Sequence, residues 1–391
     1  MKKFDQEIVK IDKIVYGGQG LGTLPDGRKI FVWGALPDET VRVEITKLKK
    51  SYGEGLVIEI LEPSSLRIES YDECYLSTSP WQTMTFDAEQ NFKKQLIIDA
   101  FMQEKIKIVA PEVKTDGKQY FYRNKTEYSL WWDNNTNKIS LAFRRRGSHQ
   151  KIPIKQSSIE RPEIFAEARR IVDELNSRDE EARKYQLLLV RCNQKGEVSS
   201  ALFENYKPHP IMKNLSDDIL GQKYSYSPNG FFQINLPVYE MALSEIAKFI
   251  NSDKVVDMYS GVGTIGLSVA RDRDLTLVET NKNAYEEMLK NIPPNTENIT
   301  PIRAKSEEAL EYITNDITLI VDPPRAGLDD KVVGKILESL PQRIIYLSCN
   351  PATQACDTAK LLAKYKIIHN QGFNFFPRTP HIENLIVLDP K

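Results

Sequence analysis

The amino-acid sequence predicts an α/β fold built on a parallel sheet, because one local pattern keeps returning. A β-branched apolar run ends in an acid and then turns sharply: Val255-Val256 into Asp257, Leu275-Thr276-Leu277-Val278 into Glu279, and Leu319-Ile320-Val321 into Asp322. A fourth run, Arg343-Ile344-Ile345-Tyr346-Leu347, leads into Ser348 and Cys349. Short continuous apolar runs are the signature of strands buried on both faces, as in parallel sheets. Such sheets carry their chemistry at the carboxyl ends of the strands, so the acids and the thiol are expected along one edge.

Ahead of that sheet, residues 7–62 alternate short β-rich runs with turns: Ile8–Ile11, Lys29–Trp33, Val41–Ile45 and Leu56–Ile60. Tyr16-Gly17-Gly18-Gln19-Gly20-Leu21-Gly22 and Pro25-Asp26-Gly27 are the turn signals. The pattern predicts a small closed OB-like β-barrel over residues 1–62. Lys10, Lys13, Arg28, Lys29, Lys47, Lys49 and Lys50 bias it towards basic. That suits phosphate contact if they share a face, and an ordinary solvated surface if they are scattered.

Residues 63–213 read as a central α+β domain. Apolar positions Phe86, Phe92, Leu96, Ile97, Ala100 and Phe101 predict a helix over 86–106 that would pack on the parallel-sheet domain. Strand-like runs follow at Thr126–Trp132, Ile139–Phe143 and Gln186–Arg191, with a helix from Pro162 to Asn176. The densest basic stretch, Arg144-Arg145-Arg146-Gly147-Ser148-His149-Gln150-Lys151, is either a hydrated loop or an RNA contact. A third domain, carrying the parallel sheet, is placed at 214–391.

Within it, Ser260-Gly261-Val262-Gly263-Thr264-Ile265-Gly266 follows a strand and opens a helix. Glycines there let the backbone approach a ligand, and an acid after the second strand can hold two ribose hydroxyls. This segment specifies a nucleoside cofactor, nicotinamide and flavin included. Asp322-Pro323-Pro324-Arg325 makes a stiff turn carrying a carboxylate, because prolines fix φ and remove donors. A lone Cys349 would most simply be a small buried hydrophobe; these two segments turn the balance towards a nucleophile.

With Phe232-Gln233-Ile234-Asn235 and His381-Ile382-Glu383, these segments resemble, in order, the motifs of the RNA uracil C5-methyltransferase family. The N-terminal barrel resembles the TRAM domain of many members. The resemblance implies a Rossmann-like methyltransferase domain, S-adenosylmethionine as cofactor, and methyl transfer to C5 of a uridine, most often in 23S ribosomal RNA. Transfer RNA is the alternative substrate, and a non-catalytic RNA-binding protein the alternative class. It implies Cys349 as nucleophile, with a pKa lowered by its neighbours, and Glu383 as base. Gln233, Tyr259, Gly261, Gly263, Thr264, Glu279 and Asp322 take cofactor positions, although the family commonly has Asn where Thr264 stands. Arg325 is a substrate contact; Cys192 and Cys356 are structural.

One departure stands out. Many members hold an iron–sulfur cluster on four cysteines. Here only Cys74 remains in Cys74-Tyr75-Leu76-Ser77-Thr78-Ser79-Pro80-Trp81, with Pro80, and Ser157 or Ser158, about where others are expected. No iron–sulfur cluster and no other metal are therefore expected, with packing around Trp81 in its place. Two other enzyme classes fit less well. An exocyclic-amine methyltransferase would place an aromatic where Arg325 stands, and a nicotinamide oxidoreductase leaves Cys349 unexplained. A net charge of −1 rules out bulk attraction to RNA and leaves local patches. With no membrane-length apolar stretch and no signal pattern, the expectation is a cytoplasmic monomer whose partner is RNA.

Overall fold

The computed structural model describes residues 6–178 and 182–391. Five strands, β1 (Gln6–Ile14), β2 (Gly20–Thr23), β3 (Lys29–Trp33), β4 (Thr40–Leu48) and β5 (Tyr52–Glu62), close into a barrel in the order β1-β2-β3-β5-β4. Strand alternation makes the barrel: in β4, Val41, Val43 and Ile45 point into the core while Thr40, Arg42 and Glu44 lie between them.

After a helical turn α1 (Tyr75–Thr78) comes α2 (Phe86–Gln103), capped by the Thr85 hydroxyl, which accepts from the Ala88 N–H. It stops three residues before the expected end, because the chain reverses at Lys105 with φ 59°. It packs against the segments Tyr365–Phe373 and Pro351–Leu361, and its inward face carries the charged Glu89 and Lys93 among Leu96, Ile97 and Phe101. The next strands are β6 (Val113–Lys114), β7 (Lys125–Asp133), β8 (Lys138–Arg144) and β9 (Lys151–Pro153). They are followed by α3 (Pro162–Asn176), β10 (Leu187–Cys192), β11 (Val198–Glu204) and β12 (Lys207–His209). Six of these strands pair antiparallel in the order β12-β11-β10-β7-β8-β9. α3 lays Ile164, Ala168, Ile171 and Val172 on one face of that sheet, with Cys192 in the same core.

The basic run forms the β8–β9 hairpin tip. Arg146 is not free there: its guanidinium stacks 4.1 Å over the barrel's Trp33 and its Nε donates to the Leu76 carbonyl. Arg144 and Arg145 stay exposed.

The remaining elements are β13 (Leu215–Ile219), β14 (Gln222–Tyr226), α4 (Leu236–Ala247), β15 (Lys254–Met258), α5 (Thr264–Val269), β16 (Asp274–Val278) and α6 (Lys282–Asn291). Then come β17 (Ile299–Ile302), β18 (Ile317–Val321), α7 (Asp330–Ser339), β19 (Arg343–Ser348), α8 (Pro351–Leu361), β20 (Tyr365–Phe373) and β21 (Glu383–Pro390). Eight strands join in the order β17-β16-β15-β18-β19-β21-β20-β6, with β15 to β19 parallel and β21 running antiparallel between β19 and β20. From β15 the chain steps outward to β16 and β17, then crosses back to β18. That reversal is the switch point where α/β sheets open a crevice. Among the described residues no helix is long and apolar enough to cross a membrane.

Candidate active site

At the carboxyl end of β15 the backbone turns through Tyr259, at φ 66°, into Gly261 at φ 58°. A Cβ built on Gly261 would meet nothing within 4 Å, so the turn leaves room for a ligand. The Glu279 carboxylate accepts from the Gly261 N–H at 2.8 Å and the Asn281 N–H at 2.6 Å, which fixes the turn against β16. The Tyr259 hydroxyl accepts from Ser306 at 2.8 Å. Thr264 is buried at the start of α5 beside the phenol of Tyr239. Gln233 is half-buried just before α4, its carbonyl accepting from Asn124 at 3.0 Å.

The site list drawn from the sequence omits Asp257. Its Oδ2 accepts from the Gly266 N–H at 2.8 Å, while Oδ1 is buried with no partner. Burial, then the charges of Asp322 and Glu279, push its pKa up to about 8. The available signal was its position, closing a buried strand directly before the glycine-rich turn.

The second group is assembled by register. Ser348 of β19 pairs with Asn384 of β21, so Cys349 and Glu383 stand at adjoining strand ends. Val321 pairs with Tyr346 on the other side of β19, which brings Asp322 and the loop after it alongside. Asn350 caps α8 by accepting from the Ala352 N–H at 3.2 Å, and its Nδ2 donates to the Arg325 carbonyl at 2.8 Å. Arg325 is exposed, with its Nη2 3.4 Å from His381 Nδ1.

Glu383 is 4% exposed, and burial followed by the Asp322 charge holds its carboxyl well above the usual range. Asp322 is raised by burial to about 7. The Cys349 thiol is pushed up to about 11, first by burial, then by Glu383 and Asp322, with Arg325 working against them. The lowered thiol pKa expected from the sequence is therefore reversed in the free protein: two carboxylates approach the sulfur and one guanidinium opposes them. Desolvation and the Arg325 charge hold His381 down to about 4, so it is neutral at physiological pH.

The segment leading to Glu383 rests on a buried polar network. Lys93, wholly buried, lies 3.0 Å from Glu89 and donates to Asn374 Oδ1 and to the Phe376 carbonyl. Glu89 accepts from the Arg378 N–H at 3.0 Å and from Asn374 Nδ2 at 2.9 Å. Arg378 is 2% exposed and donates to the Met84 carbonyl at 2.6 Å.

Around Cys74 a polar network stands beside the packing at Trp81. Gln82 Oε1 accepts from the Tyr71 and Asp72 N–H groups at 3.0 and 2.9 Å. Its Nε2 donates to Asp72 at 2.9 Å and Ser79 at 2.6 Å, and Ser158 donates to Asp72 at 2.7 Å. Trp81 packs with Ile14, Leu36 and Leu96, linking barrel to α2. Among the described residues no group of three or more His, Cys, Asp or Glu could hold a metal ion. Cys356, read as structural, is instead exposed on α8 and donates to Glu104 at 3.1 Å.

Residues 211–391 match the model of the tRNA (Uracil-5-)-methyltransferase family, and residues 6–58 that of the TRAM domain. A chain from Enterococcus faecalis named as an RNA methyltransferase is 29% identical, covering 99% of this chain and 98% of its own length. One of the same name from Treponema denticola is 29% identical over 97% and 98%. The solved Pyrococcus abyssi tRNA (uracil-54, C5)-methyltransferase, in complex with S-adenosyl-L-homocysteine, has the same fold, with a TM-score of 0.78 at 21% identity over 97% of this chain and 99% of that one. Fold, crevice and matches define an S-adenosylmethionine-dependent RNA methyltransferase. Its C-terminal residues 211–391 are similar to the tRNA (Uracil-5-)-methyltransferase family, joined to an N-terminal barrel similar to the TRAM domain.

Proposed function

We propose that this enzyme methylates C5 of a uridine in 23S ribosomal RNA through a covalent adduct on Cys349. The observation that carries the reading is the pairing of Ser348 with Asn384, which sets a thiol and a buried carboxyl side by side. S-adenosylmethionine, when bound, supplies an electrophilic methyl group on a positively charged sulfur. The crevice suits it: Gly261 leaves open space, Asp257 Oδ1 is buried without a partner, and the charges of Asp322 and Glu279 both bear on Asp257. Tyr259, Gly261, Gly263, Thr264 and Glu279 would line the nucleoside end, and Gln233 and Asp322 the methionine end.

Uracil C5 is a weak nucleophile. Addition of the Cys349 thiolate to C6 forms an S–C6 bond and moves electron density through the enolate to C5, which would then bond to the methyl carbon as the sulfonium S–CH3 bond breaks and its electron pair leaves with neutral S-adenosylhomocysteine. Arg325 stabilises the enolate oxygen or a phosphate. Glu383 removes the C5 proton, and the electron pair left behind expels the thiolate from C6. The raised pKa of Glu383 suits a group that must hold that proton. A target inside structured RNA must leave its stack, at about a few kcal/mol, so an exposed or flipped uridine is favoured.

Ribosomal RNA is the preferred substrate because TRAM-bearing enzymes of this type often act on it. Transfer RNA, the substrate printed for the Pyrococcus abyssi enzyme, is the second reading. Incubating the protein with tritiated S-adenosylmethionine and either 23S ribosomal or transfer RNA, then mapping the label, separates them. Label as 5-methyluridine in ribosomal RNA is expected; label only in transfer RNA favours the second reading, and none in either sinks both.

A further inference from the structure

The barrel reaches the candidate nucleophile. The turn between β1 and β2 is seated between the segment after Cys349 and the segment before Glu383. On one flank the Tyr16 hydroxyl donates to Asn350 Oδ1 at 2.6 Å, one residue beyond Cys349. On the other, Trp81 Nε1 donates to the Gly18 carbonyl at 3.1 Å, and a Cβ on Gly18 would stand 2.4 Å from Cβ of Pro380. Gly17 and Gly18 both lie in the left-handed region, at φ 95° and 90°, which lets the turn come this close. Tyr16 remains 51% exposed.

The contact goes beyond joining two domains. Asn350 has three duties: it caps α8, accepts from Tyr16, and donates to the Arg325 carbonyl. Arg325 is the cation that opposes Glu383 and Asp322 around the sulfur. Removing the Tyr16 hydroxyl leaves the Asn350 amide held on fewer sides, and the loop carrying Arg325 loosens with it.

We propose that Tyr16 is a positioning residue supplied by the TRAM barrel: through Asn350 it holds the Arg325 loop beside Cys349. The proposal rests on the reading of Cys349 as the nucleophile. It makes the barrel a working part of the catalytic centre as well as a surface for RNA.

The test uses the full chain in a Cys356→Ser background, so that Cys349 is the accessible thiol. Iodoacetamide alkylation of the Cys349 peptide is followed by mass spectrometry from pH 7 to 10. In parallel, adduct formation is timed with 5-fluorouridine RNA and S-adenosylmethionine. Tyr16→Phe is expected to slow alkylation at pH 8 and adduct formation alike by about three- to tenfold, the scale of one lost hydrogen bond. KM for S-adenosylmethionine should stay the same, because the glycine-rich turn is untouched. Adding Tyr16→Phe to Asn350→Ala should cost nothing further, since the two act in series. Wild-type alkylation and adduct rates in Tyr16→Phe overturn the proposal, and so does a variant that melts earlier with unchanged thiol reactivity. If even the wild type forms no adduct while Tyr16→Phe still slows alkylation, the positioning role stands and the reading of the reaction falls.

Discussion

Lys93 brings a charge into a place without water, and its replacement is the sharpest test of what holds the catalytic segment. Both Lys93 and Glu89 are wholly buried, 3.0 Å apart, and Lys93 also donates to Asn374 and Phe376. Removing one member of such a pair typically costs about 3–5 kcal/mol, because the other charge is left uncompensated. Lys93→Met keeps the volume. Glu89 would retain the Arg378 N–H at 3.0 Å and Asn374 Nδ2 at 2.9 Å as donors, so the lower end, about 3 kcal/mol, is expected. Urea unfolding followed by the fluorescence of Trp81, which packs beside this helix in the cluster containing Ala88 and Phe92, measures it. The double variant Glu89→Gln/Lys93→Met should recover little of the loss, because the buried Arg378 guanidinium, 3.8 Å from Glu89, then loses its carboxylate. The pH dependence has a definite sign. Burial holds Lys93 down to about 8 in the fold, so the folded state releases that proton before the unfolded chain does. The wild type should therefore gain stability over Lys93→Met as pH rises from about 8 to 10. A Lys93→Met protein within about 1 kcal/mol of wild type, with full activity, would refute the reasoning.

Other perturbations give equally direct readings. In Glu383→Gln, Cys349 should still add to C6 and C5 should still take the methyl group, after which the complex stalls, so a methylated RNA–protein adduct should accumulate on unsubstituted RNA; normal turnover would remove Glu383 from its role. Gly18→Ala places a Cβ 2.4 Å from Pro380 in a left-handed conformation, and should lower both melting temperature and methyl transfer. Gln82→Leu strips the acceptor from the Tyr71 and Asp72 N–H groups and should cost at least about 2 kcal/mol in denaturant titration. With the thiol at about 11, alkylation of Cys349 without cofactor should rise about tenfold per pH unit from 7 to 10; a flat profile would contradict the electrostatics of the site.

The strand-acid-turn pattern was readable because each unit is local. Buried parallel strands need apolar runs, and the residues after them fall along one edge, so the positions of Asp322 and Cys349 at strand ends were readable. The Pro162–Asn176 helix was readable for a similar reason: proline opens it and a strong apolar stripe follows. Helix α2 was harder to bound, since its buried face includes Glu89 and Lys93, and its end depends on a left-handed Lys105. The antiparallel β21 and the hairpin β13–β14 gain their meaning only by pairing. What was not legible depends on distant contacts. Tyr16 meets Asn350 across 334 positions, and the upward Cys349 shift depends first on burial in the folded site and then on Glu383 and Asp322 from two other strand ends. Asp257 was visible as an acid, but its unpartnered oxygen needs the folded turn to show it.

The most direct trial is mass spectrometry of the protein after reaction with 5-fluorouridine RNA. Fluorine at C5 blocks the final elimination and should freeze the complex with RNA and a methyl group attached to the Cys349 peptide, only when S-adenosylmethionine is present. Attachment at any other residue, or methylated product released freely from Cys349→Ala, would contradict covalent catalysis by this thiol.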